Sequence, residues 1–195
     1  MNNVEIITLK APDIRDFALE RNKLLKSSGS AWVFFVDSDE KISEELKKEI
    51  ENLDPGNFNG FYIKRKIIFL GHEIGEDKVL RLGKRDAGEW NRKVHEVWNI
   101  KGKVGVLKNF LIHNTAEDIS SYVGKINKYS GMHAEENLRE GKKTNILKII
   151  LYPKMMFIKN ILQGRGFAFS MLQSFHSFLG WSKEWELTRK TGQAK

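Results

Sequence analysis

Apolar residues run without a polar break from Trp32 through Val33, Phe34 and Phe35 to Val36, then meet Asp37, Ser38, Asp39 and Glu40. An unalternating run of aromatic and β-branched residues predicts a strand covered on both faces, as in the parallel sheet of an α/β domain. Ligands of open α/β sheets bind beyond the carboxyl ends of the strands, which is where Asp37 and Asp39 fall. Residues two apart on a strand share a face, so the spacing predicts both carboxylates turned toward one point.

On either side of that run the period changes. Residues 4–9 read as a short strand. Over residues 12–26, Ile14, Phe17, Ala18, Leu24 and Leu25 recur at helical spacing, Arg21 and Asn22 lie on the polar face, and Ser27-Ser28-Gly29 stops the helix. Ser43 caps a second helix over residues 44–53, where Glu44 and Glu45 suit the helix dipole. Asp54-Pro55-Gly56 is a turn signal. Residues 61–70 read as a strand with Phe61, Ile63, Ile67 and Phe69 on one face, interrupted by Arg65. Residues 71–75 and 83–88 read as glycine-marked loops, and residues 104–107 and 110–113 as two short strands of a hairpin. Thr115 with Asp118 suggests a capping box for a helix reaching about Glu140, with Val123, Ile126, Tyr129, Ala134 and Leu138 along one side.

Past Gly141 the character shifts. Ile146 to Tyr152 is nearly all apolar, and Pro153 is expected at the first turn of a new helix. Met155, Met156, Phe157, Ile158, Ile161 and Leu162 follow, spaced by Lys154 and Lys159. Beyond Gly164-Arg165-Gly166 come Phe167, Phe169, Phe175, Phe178, Trp181 and Trp185. Such a basic, aromatic-rich sequence predicts helices lying in a membrane interface. The pattern therefore divides the chain into an α/β domain over residues 1–140 and a basic amphipathic helical tail over residues 141–195.

Charge sharpens that division. The chain has 195 residues and a formal net charge of +8. Residues 1–140 hold 23 basic and 23 acidic residues, whereas residues 141–195 hold ten basic and two acidic ones. The excess thus sits entirely in the tail, which points to an anionic membrane surface and not to nucleic acid as the partner. There is no cysteine, which excludes disulfides and thiolate metal sites. Met1 to Lys10 lacks the apolar core of a signal peptide, and no apolar run reaches the roughly 18 residues that a spanning helix needs. The expected location is cytoplasmic, peripheral to the inner face of the cell membrane.

Candidate chemistry gathers in two places. Asp37 and Asp39 offer hard oxygen donors of the kind that hold Mg²⁺ or Mn²⁺ beside phosphate oxygens. The stretch from Trp90 to Trp98 packs two Trp, Arg92, His95 and Glu96 into nine residues, and offers both an imidazole and a carboxylate as a general base. On a strand only one of His95 and Glu96 can face a given side. His113 closes the apolar run Phe110-Leu111-Ile112 much as Asp37 closes its own.

Taken in order, Phe17-Ala18-Leu19-Glu20-Arg21-Asn22, the run Trp32 to Glu40, Trp90, Arg92, Val94-His95-Glu96, His113 and the helical tail with Pro153 resemble the family 2 glycosyltransferases of GT-A fold, specifically the lipopolysaccharide-core glucosyltransferase-like branch. The resemblance implies a partial GT-A, Rossmann-like mixed α/β sheet with a C-terminal helical, membrane-associated appendage. It implies inverting transfer of a sugar from a nucleotide-sugar donor to a glycan or glycolipid acceptor. Asp37, Asp39 and His113 would be metal contacts for Mg²⁺ or Mn²⁺, and Arg21, Asn22, Asp37, Asp39, Trp90 and Arg92 donor contacts. Glu96 would be the catalytic base, with His95 as its alternative.

The chain departs from the family in one respect. Members begin with a strand ending in a Pro-x-x-Asn-Glu-like motif, and a second strand carries an Asp that reads the base; neither occurs before Asp37. The resemblance therefore implies a member without its first nucleotide-binding strands, completed by a second chain or surviving as an inactive remnant. An apolar strand ending in Asp-x-Asp also occurs in haloacid-dehalogenase-type phosphotransferases, but those carry Thr or Val where this chain has Lys41.

Overall fold

The computed structural model describes residues 3–9, 14, 16–92 and 96–191. It is an α/β structure with six strands in one mixed sheet. In chain order its elements are β1 (Val4–Leu9), α1 (Phe17–Ser27), β2 (Trp32–Asp37), β3 (Glu40–Ile42), α2 (Glu44–Glu51), β4 (Phe58–Phe69), β5 (His72–Lys84), β6 (Gly88–Asn91), β7 (Val97–Ile100), β8 (Lys103–Ala116), α3 (Ile119–Arg139), α4 (Ile146–Leu162) and α5 (Phe167–Lys190). The chain divides into two compact units, one of Met1–Ile68 with Glu76–Thr115, the other of Phe69–Gly75 with Ala116–Lys195.

In the first unit the strand order is β1-β2-β5-β4-β8-β3. β1 and β2 pair in parallel through α1, while β2 runs antiparallel to β5 and β3 antiparallel to β8. Both faces of β2 are covered, as its unbroken apolar run demands. Trp32, Phe34 and Val36 pack with Leu46 and Ile50 of α2, and with Phe61, Ile63 and Leu111. Val33 and Phe35 pack the other way, against Ala18 and Leu25 of α1 and against Trp90 and Trp98. Those two tryptophans are cross-strand partners in the separate β6–β7 hairpin, stacked at 5.1 Å, with Phe35 edge-on to both.

The second unit is built on α3, α4 and α5. Its apolar cluster joins Phe69, Ala116, Tyr122, Ile126 and Phe169. Among the described residues no helix is long and apolar enough to cross a membrane.

Several expectations are corrected. Residues 71–75 and 83–88 are not loops throughout. The turn is only Leu70-Gly71, both left-handed (φ 51 and 78), and β5 then runs from His72 to Lys84, followed by a single 3₁₀ turn at Arg85–Ala87. Glycine in a strand normally weakens it; here Gly83 leaves room for the Trp98 and Ile100 side chains, which a Cβ would meet at 2.9 and 2.6 Å. The expected hairpin over residues 104–113 is one continuous strand, β8. Glu49 makes that possible by accepting the backbone N–H groups of Lys108 and Asn109. Arg65 does not interrupt β4, because its guanidinium is paired with acids.

Helix ends differ as well. α1 begins at Phe17, capped by Asp16, whose side chain accepts the Leu19 N–H. Asp118, and not Thr115, caps α3 through the Ser121 N–H. Pro153 sits inside α4, which starts seven residues earlier under an Asn145 cap.

Candidate active site

The alternation of β2 decides where its terminal acid points. Val33 and Phe35 face α1, and Asp37 continues that row. Arg21, one turn into α1, is 1% exposed and lies over the Trp90 and Phe35 rings at 4.7 and 5.3 Å. Its Nη2 donates to Asp37 Oδ1 at 2.5 Å and its Nε to Glu96 Oε1 at 3.0 Å. From β5, Arg81 Nη2 donates to Asp37 Oδ2 at 2.5 Å, and its Nη1 lies 3.7 Å from Glu96 Oε1. Two guanidinium groups and two carboxylates thus form one largely buried quartet with no net charge.

Burial lowers the pKa of Arg81, and the neighbouring Arg21 cation pushes the same way, against Asp37, Glu40 and Glu96. An arginine nonetheless keeps its proton in a protein. Arg21 Nη1 and Arg81 Nε are buried without a hydrogen-bond partner among the described residues.

A second network adjoins it. Glu40, buried on β3, accepts the Asp37 backbone N–H at 2.9 Å and Arg65 Nη1 at 2.8 Å. Arg65 also forks onto Asp77 at 2.9 and 2.7 Å. Burial would lower the Arg65 pKa, but the hydrogen bonds to Asp77 and Glu40 together with their negative charges outweigh it, and the pKa is raised. Glu40 thereby anchors the end of β2, where Asp37 must be held.

The two aspartates do not share a target. β2 ends at Asp37, and Ser38-Asp39 forms a turn, so the two-residue periodicity of a strand no longer governs Asp39. The β3–β8 register places Glu40 opposite His113, and Asn114 N–H donates to the Asp39 carbonyl at 2.8 Å. That brings Asp39 Oδ2 to 3.4 Å from His113 Nε2. Among the described residues no three His, Asp or Glu side chains gather as a metal-ligand set. Both oxygens of Asp37 are taken by cations, so in this arrangement it does not fit a divalent ion. The pair that could begin such a site is Asp39 with His113.

The other expected residues fall as follows. Asn22 bonds reciprocally to the Trp90 backbone, donating to its C=O at 2.8 Å and accepting its N–H at 2.9 Å; it holds β6 against α1. Trp90 is buried and gives its ring face to Arg21 and, at 5.7 Å, to Arg81. Arg92 is exposed just past β6, with a left-handed backbone (φ 73). His95 lies outside the described residues. A groove of about 850 Å³ along α1 is lined by Asn22, Lys26, Arg85, Asn91 and Lys101 among others, and by none of the quartet acids. Sequence reading misses Arg81, Glu40 and Arg65 as parts of the site. The available signals were an arginine between Leu80 and Leu82, another inside an apolar strand, and an acid three residues past a strand end.

Comparison with known proteins gives a consistent set of relatives. The chain is 26% identical over 155 residues to a lipopolysaccharide core biosynthesis glycosyltransferase, LpsC, of Rhizobium meliloti, covering 74% of this chain and 57% of that protein. It is 27% identical over 186 residues to an uncharacterized glycosyltransferase of Rickettsia typhi, and 26% identical over 186 residues to one of Rickettsia prowazekii, each match covering 82% of this chain and 64% of the relative. The chain therefore spans roughly three fifths of the length of these relatives. No model of a protein family matches it.

Proposed function

We propose, proceeding from the chain's membership of the glycosyltransferases, that it serves the transfer of a sugar from a nucleotide-sugar donor to a lipopolysaccharide-type or other lipid-linked glycan. The observation that carries the proposal is the quartet at the carboxyl end of β2, where two arginines converge on Asp37 beside Glu96. A diphosphate is an anion that guanidinium groups bind by paired N–H···O contacts. Arg21 and Arg81 would receive it, with Arg92 at the rim.

In an inverting transfer the acceptor hydroxyl oxygen bonds to the anomeric carbon. The bond from that carbon to the diphosphate oxygen breaks, and its electron pair leaves with the nucleotide. The hydroxyl proton passes to Glu96, a base oriented by Arg21 and Arg81, with His95 as its alternative. Trp90 and Asn22 hold that wall of the site. Mg²⁺ or Mn²⁺, taken up at Asp39 and His113, would supply charge neutralisation on the departing diphosphate; Asp37 would join only by releasing a guanidinium.

Calorimetric titration of the chain with a panel of nucleotide sugars, with and without Mn²⁺, tests it. The expected result is heat from at least one donor, lost in Arg81→Met. Absence of heat from every donor, with the protein folded by circular dichroism, favours a non-catalytic glycosyltransferase-like remnant. Phosphorylation of Asp37 by a phosphate donor would instead favour the phosphotransferase reading.

A further inference from the structure

We infer that the outward face of α4 is a docking surface for an anionic lipid bilayer. A helix in a globular unit normally turns its apolar stripe inward, but α4 does the reverse. Its buried residues are Pro153 and Asn160, and the Asn160 amide is satisfied locally by the Met156 carbonyl at 2.8 Å and by Arg165 at 3.3 Å. Outward, at three- and four-residue spacing, stand Leu147, Ile150, Leu151, Met155, Ile158 and Leu162. Leu147 is 65% exposed, Met155 64% and Leu162 81%. Phe167 at the start of α5 is exposed as well, edge-on to Phe157.

Charge identifies the occupant. Gly141 to Lys183 contains six lysines, one arginine and no acid, and Lys154 stands exposed inside the apolar row. Lys142 is paired with Glu140 at 2.8 Å, but Lys154 and Lys159 stand exposed on α4 itself, and a second copy would bring the same two lysines to the contact and be repelled. Duplex nucleic acid would answer the lysines but leave the leucines and isoleucines in water, since its binding is mainly electrostatic. An anionic bilayer answers both: acyl chains accept the apolar row, and headgroups accept the lysines. The helix would lie in the interface, since it is too short and interrupted to cross. This surface is independent of the sugar-transfer reading.

The whole chain is to be cosedimented with phosphatidylcholine vesicles, with vesicles containing phosphatidylglycerol, and with duplex DNA, across a salt series. Expected is partition onto the anionic vesicles that falls with salt but levels off above zero, because the apolar part is not screened. Leu151→Glu with Met155→Glu, both at exposed positions, should lower partition more than tenfold with unchanged circular dichroism. Lys154→Gln and Lys159→Gln should each lower it about fivefold, the equivalent of a basic residue near an anionic surface. Failure to pellet with anionic vesicles overturns the inference. So does pelleting with DNA alone, or a self-association that Leu151→Glu with Met155→Glu abolishes in a chain that ignores vesicles.

Discussion

Replacing Arg21 by Met removes one of the two cations that neutralise Asp37 and Glu96. Arg21 is almost wholly inaccessible and makes two of the short contacts, at 2.5 and 3.0 Å. Deleting one partner of a buried ion network generally costs about 3–5 kcal/mol, because the remaining charges stay desolvated. Two features place this case near the lower end. Asp37 keeps Arg81 at 2.5 Å, and with a side chain 27% exposed it can recover some hydration. The lost cation–π contact with Trp90 is worth about 0.5–2 kcal/mol, and the Met thioether restores part of it against the same rings.

The expected loss for Arg21→Met is therefore about 3 kcal/mol. With a urea dependence of about 1–3 kcal/mol per molar, the unfolding midpoint falls by about 1–3 M. A double-mutant cycle with Asp37→Asn isolates the pair, since coupled neighbours depart from additivity by about 0.5–3 kcal/mol. A loss below about 1 kcal/mol, with additive single effects, would show the contact to be screened like an exposed ion pair and refute the buried quartet.

Three further outcomes are expected. Glu96→Gln keeps the shape of the side chain but cannot take a proton, so turnover should fall about 10²- to 10⁴-fold while donor affinity changes little; an unchanged rate moves the role elsewhere. Gly88→Ala would place a Cβ 2.0 Å from the Asn99 carbonyl oxygen, forcing the β6–β7 backbone apart, and thermal unfolding should show a loss of about 1–3 kcal/mol or more; a neutral result would mean the hairpin does not pair as described. Glu184, buried and, among the described residues, accepting a hydrogen bond only from Asn137 at 3.0 Å, has its carboxyl raised above the ordinary 4.5 by burial, against Asn137 and the Lys148 and Lys142 cations. Its contribution is full below about 4.5 and is lost as pH rises through the folded value, so Glu184→Gln should be the more stable protein at pH 8, and superimposable pH profiles would contradict this.

Local order alone determined much of this protein. The Trp32–Val36 run fitted a strand covered on both faces, since no alternation left a side for water, and α1, Trp90 and α2 do cover it. Helical spacing likewise located α1, α2 and the long α3, but it read Arg21 only as part of a polar helix face; the family resemblance, not the spacing, implied Arg21, Asp37 and Glu96 as site residues. What the sequence could not convey is which acid meets which cation. The same spacing that put Asp37 and Asp39 on one face failed once β2 ended, since a turn residue follows its own backbone and not the pleat. β5 was hidden because Gly75 and Gly83 read as loop signals, yet Gly83 is there to admit Trp98 and Ile100, side chains distant in sequence. With β5 unseen, Arg81 had no reason to approach Asp37. Long-range pairing decided these contacts, and pairing of that kind leaves no periodicity for a local reading to detect.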